Sequence, residues 1–93
     1  MTHVTIDGAS FSTPSGFWRE AARELAGDPA WSVRQDRDVF DDLLDGGYGR
    51  HGIGEPLTIH WLLSQRSRRR LGEFFEEVVA QIGEHPHVTL SLE

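Results

Sequence analysis

Four aspartates, Asp38, Asp41, Asp42 and Asp45, fall within the stretch RDVFDDLLDGG (37–47) at spacings i, i+3, i+4 and i+7. On a helix of about 100° per residue they share one stripe, opposite Val39, Phe40, Leu43 and Leu44, and all four are expected to face solvent. Asp38 suits the N-cap and Asp41 gains from the helix dipole near its positive end. Asp45 sits at the wrong end of that dipole, and Asp38 with Asp42, and Asp41 with Asp45, are like charges at i, i+4. Aspartate is also a poor helix-interior residue. Helix stability does not account for the stripe, so a use for the charge is the reading to pursue.

Three chemistries suit clustered carboxylates. Ca²⁺ or Mg²⁺ takes carboxylate oxygens, but the EF-hand spacing is absent and aspartates along one helix rarely converge on a point. A two-carboxylate hydrolase needs two carboxyls in different environments, whereas one exposed stripe offers equal ones. The remaining chemistry is contact with a basic cavity of a protein partner, with carboxylates standing in for phosphates.

Other groups carry weaker signals. The run RSRRR (66–70) reads as a self-neutralising surface in an acidic chain, with a phosphate or partner contact as the alternative. His85 and His87 in HPH read as plain surface residues, and no metal site is assigned to them. His60 beside Trp61 reads as a satisfied strand histidine, and no Ser-His-Asp or Cys-His arrangement can be placed. GGYGRHGIG (46–54) resembles a phosphate loop only superficially, since it lacks the Lys-Ser/Thr pair and precedes a strand.

The elements that must position the stripe follow from periodicity. A β-type run at 3–6 ends at Asp7-Gly8; Thr13-Pro14 starts a helix expected over 14–26, with Phe17, Trp18, Ala21, Ala22 and Leu25 on its apolar face. The acidic helix follows, ended by Gly46-Gly47. LTIHW (57–61) is a strand, Leu71, Phe74, Phe75, Val78, Val79 and Ile82 mark a long helix, and HVTLSL (87–92) alternates as the last strand. Helical crossovers between strands predict an α/β fold: a small, three-stranded, largely parallel sheet covered by helices, in one domain over 1–93. The strand order is left open.

Composition narrows the partners. The chain has 93 residues and a net charge of -6, from 15 Asp and Glu against 9 basic residues, which disfavours nucleic acid and favours a basic protein. It has no cysteine, no apolar run of membrane-spanning length and no leader-like start, so a cytoplasmic location, no membrane contact, no metal and no cofactor are expected.

As an ordered set, VTIDG, ARELAG, DVFDDLLDGG, PLTIHW, FFEEVVAQI and VTLSL run nearly end to end, and in these the chain resembles the barstar family of intracellular ribonuclease inhibitors. The resemblance implies a binding protein without catalysis, whose acidic helix and adjoining loop plug the active site of a basic, extracellular-type microbial ribonuclease of guanyl preference. Asp42 matches the family aspartate that enters the phosphate site, and Asp38 a second contact one turn earlier. Asp45 and Gly46 fall at the helix end that also touches the enzyme. Gly47 stands where the family has a tryptophan, so Tyr48 is expected to supply that aromatic surface. Glu77 matches a supplementary acidic contact, a further family glutamate is here Gln81, and Trp31 is the expected aromatic of the preceding loop. The loops flanking the acidic helix are longer than the family's, and the connection after Trp61 is shorter, so the family's extra helix there is expected to be lost. An immunity protein against a toxin of another activity is the alternative, ahead of a metal-binding or hydrolytic protein using the stripe.

Overall fold

The computed structural model describes residues 2–27, 37–46 and 52–93. Along the chain run β1 (Thr2–Asp7), α1 (Pro14–Ala21) with a π-helical turn (Ala22–Ala26), α2 (Arg37–Asp45), β2 (Leu57–Leu62), α3 (Ser64–Leu71), α4 (Glu73–Gly83) and β3 (Val88–Leu92). The strands form one all-parallel sheet in the order β1-β2-β3, with Val4 beside Ile59 and Ile59 beside Leu90. The expected α/β class is therefore what is found, and the order left open is simply that of the chain.

Alternation decides the faces of the sheet. Val4, Ile6, Leu57, Ile59 and Trp61 are buried, while His3, Thr5 and Thr89 are exposed, so one face packs on the core and the other is polar. On that polar face His60 Nδ1 lies 2.7 Å from Glu93 Oε2, and His60 Nε2 lies 3.0 Å from His3 Nδ1. The hydrogen bond from His60 holds the Glu93 carboxyl below its ordinary value.

Aromatic rings hold the layers together. Trp61 is fully buried, stacks on Phe17 at 5.1 Å and meets Phe75 edge-on at 5.0 Å. Phe40 brings α2 into the same cluster through Phe17 and Trp18, at 5.8 and 5.3 Å. Thr13 caps α1 by accepting from the Gly16 amide at 3.2 Å, and Pro14 takes the first helical position, where a missing N–H costs nothing.

The expected loss of a helix after Trp61 is corrected. The chain leaves β2 through Leu63 in a left-handed conformation (φ 54°) and at once forms α3. This helix is nearly devoid of apolar residues. It docks through small hydroxyls instead: Ser64 and Ser67 are buried, and Ser67 Oγ accepts from the Trp61 indole N–H at 3.0 Å. Leu71, which periodicity assigns to the long helix, instead closes α3, and Gly72 at φ 60° breaks the chain before α4. Two of the four arginines in RSRRR then have partners, and the other two are exposed. Arg66 donates to the carbonyls of Gly8 and Phe11, and Arg68 pairs with Glu76 at 3.2 Å and lies over the Phe75 ring.

Gly8 is where β1 meets this corner. A Cβ there would lie 2.4 Å from the Leu62 carbonyl oxygen and 2.8 Å from Ser67 Oγ. Gly8→Ala is therefore expected to cost about 1–3 kcal/mol by forcing the backbone of β2 or α3 aside, read as a lower denaturant midpoint at unchanged slope. An unchanged midpoint would mean that the corner has slack.

Candidate functional site

The acidic helix is fixed to the core by its apolar side, where Phe40 and Leu44 are buried at 1% and 0% exposure. A helix of nine residues is marginal alone, so this packing and the contacts of its polar side must hold it. Those contacts form a ladder with α4. Arg37, Asp41 and Asp45 lie at i, i+4, i+8 on α2, and Glu77, Gln81 and His85 repeat that spacing on α4 and just beyond it. The rungs step along both segments in the same order.

Arg37 Nη1 lies 3.5 Å from Glu77 Oε2, and Arg37 Nε donates to Gln81 Oε1 at 2.9 Å. Gln81 Nε2 donates in turn to the Arg37 carbonyl at 2.7 Å and to Asp41 Oδ1 at 2.8 Å. His85 closes the ladder, with Nε2 2.9 Å from Asp41 Oδ1 and Nδ1 2.9 Å from Asp45 Oδ1. At the helix end the orphan carbonyls are also met: the Asp42 carbonyl accepts from Gly46 N–H, Leu44 from His87 Nε2 at 2.7 Å, and Asp45 from Gly54 N–H at 2.9 Å.

The titrations follow this geometry. Burial works against the charge on Asp41, but hydrogen bonds from Gln81 and His85 and the nearby charges of His85 and Arg37 outweigh it and hold the carboxyl below its ordinary value. Burial likewise works against a charged His85, and the hydrogen bonds and charges of Asp41 and Asp45 outweigh it and raise the ring's pKa.

The four aspartates therefore divide. The sequence places them on one solvent-facing stripe; in the structure Asp41 is half-buried and bound, and Asp45, though exposed, is bound by His85. Asp38 and Asp42 remain exposed, and the Asp42 carboxylate has no hydrogen bond or ion pair among the described residues. Glu77 is exposed beside Arg37. Two residues expected at a contact surface are placed inside instead. Gln81 is 3% exposed because its amide is wedged between Arg37 and Asp41, and Gly46 is buried with φ 101°, where it turns the chain at the end of α2. Trp31, Gly47 and Tyr48 lie outside the described residues.

His85 and His87, which read as plain surface in the sequence, are the residues that sequence reasoning misses. The signal was the matching i, i+4 spacing of 37, 41, 45 and 77, 81, 85, which pairs opposite polarities once the two helices lie side by side. Among the described residues no three His, Asp or Glu side chains are grouped as a metal would need, and no helix is long and apolar enough to cross a membrane. No protein-family model matches the chain, and no curated protein matches it.

Proposed function

We propose that the protein is an inhibitor of a small, basic microbial ribonuclease, and that it acts by placing the exposed side of α2 in the enzyme's active-site cleft. The observation that carries this reading is the state of Asp42: an exposed carboxylate without a described partner, on a helix whose Asp41 and Asp45 are engaged by Gln81 and His85. A carboxylate on a helix anchored by buried Phe40 and Leu44 is suited to enter a cleft built for phosphate, because the backbone that presents it is settled before binding. Asp38 one turn away and Glu77 on α4 extend the acidic surface. The net charge of -6 supports steering towards a cationic partner. The motifs that resemble the barstar family point to the same surface and to the same class of target.

The test is inhibition of RNA cleavage by purified guanyl-preferring microbial ribonucleases. Stoichiometric inhibition that weakens steeply with added salt is the expected result, since charges steer the encounter. Full cleavage by every enzyme tried at micromolar inhibitor would remove the ribonuclease reading. Capture of a basic toxin of another activity would replace it with an immunity protein on the same surface.

A further inference from the structure

Both ring nitrogens of His85 face carboxylates at 2.9 Å, Nε2 towards Asp41 and Nδ1 towards Asp45. A neutral imidazole has one N–H, so it can donate to only one of them and must turn a lone pair on the other. The geometry itself therefore selects the doubly protonated ring. That ring is 11% exposed and joins the two ends of a helix turn on α2 to the segment after α4.

We propose that His85 is a positioning residue for the acidic surface, a proton-dependent latch that holds α2 in its binding orientation and lets it loosen when the ring is neutral. The extension to binding rests on the ribonuclease reading above; the latch itself does not. The groups facing His85 are Asp41 and Asp45 from α2, with Arg37 reaching Asp41 through Gln81, and His87 from its own turn with ring centroids 6.0 Å apart. Glu84 is the charged neighbour in sequence and is exposed. His87 cannot replace the latch, because its Nε2 already donates to the Leu44 carbonyl, a bond open to both the neutral and the charged ring.

The direction follows from linkage. His85 is raised above 6.5, so its contribution is complete below 6.5 and is lost as pH rises through the raised value. Asp41 is lowered below 3.8, so its contribution is complete above 3.8 and is lost as pH falls through the lowered value. The latch is thus fully closed between 3.8 and 6.5 and opens on the alkaline side through His85 alone. Losing the proton also makes the surface more negative. Association with a cation is then no slower, and the loosened helix shows itself as faster dissociation.

The deciding experiment needs no partner. Amide-exchange protection of Leu43, Leu44 and Asp45 is measured across about pH 6 to 9, with nitrogen NMR of the His85 ring. Protection is expected to fall about ten- to a hundredfold as the ring passes from the imidazolium signature to neutral. In His85→Gln, which keeps a hydrogen-bonding side chain without the titration, protection is expected to be independent of pH after correction for intrinsic exchange. Flat protection in the parent, the same fall in the variant, or a neutral ring at pH 6 would each overturn the latch. Dissociation of a ribonuclease complex, taken as the ratio of parent to variant so that the enzyme's own titration cancels, is expected to accelerate over the same range. If neither protein binds any ribonuclease, that reading fails while the exchange result still decides the latch.

Discussion

Trp61→Ala is expected to destabilise the fold by about 3–5 kcal/mol, a large part of the roughly 5–15 kcal/mol that a domain of this size possesses. The ring is completely buried and touches Phe17 and Phe75 at 5.1 and 5.0 Å, so its removal opens a cavity between the sheet, α1 and α4 at once. It also deprives Ser67 Oγ, 1% exposed, of its donor. Thermal unfolding should show a fall of about 12–40 °C, at about 4–8 °C per kcal/mol for a domain this small. Trp61→Phe keeps one aromatic ring in the cluster while removing the indole N–H and part of the ring volume; an intermediate midpoint is expected. A midpoint for the alanine variant within a few degrees of the parent would show that the aromatic cluster does not organise the core.

Asp42→Ala is expected to weaken inhibition by about 2–5 kcal/mol, roughly 30-fold to a few thousand-fold in Kd, while leaving the folded protein intact. Its side chain is exposed and has no described partner, so truncation removes nothing that holds α2 and carries no cost to folding. In the complex the cationic groups of the cleft would lose the carboxylate that compensates them, and uncompensated buried charge is what makes such truncations costly. Asp41→Ala is the informative contrast. It breaks bonds to Gln81 and His85, so it should lower thermal stability and weaken inhibition indirectly. Inhibition by Asp42→Ala as strong as the parent's, measured as Kd by steady-state assay, would move the site elsewhere even if the inhibitor reading held.

The strands and the acidic helix were legible because burial patterns them directly. LTIHW is an apolar run with no competing period, and Val39, Phe40, Leu43 and Leu44 return at helical spacing. The helix α3 was not, because apart from Leu71 at its end its buried residues are Ser64 and Ser67, whose hydroxyls carry no hydrophobic period, and its arginines look like surface. The same limit applied to the acidic stripe. A helical projection shows which residues share a face but not which neighbour that face meets, so Asp41 and Asp45 looked equivalent to Asp42. Only the side-by-side register of α2 and α4 separates them, with His85 between two carboxylates and Gln81 closed inside. That register depends on contacts between distant segments, which local spacing constrains but does not choose.

The all-parallel order β1-β2-β3 also dictates when the surface can exist during synthesis. β1 leaves the ribosome first, yet its hydrogen-bonding partner begins only at Leu57, and β2 must wait for Val88. No strand pair is local, so the sheet closes late and slowly compared with its helices. The acidic helix is in the same position, for its ladder needs Glu77, Gln81 and His85 from the last third of the chain. A nascent chain therefore carries the aspartates long before α2 has its ladder, and that acidic face is assembled only as the last crossover docks.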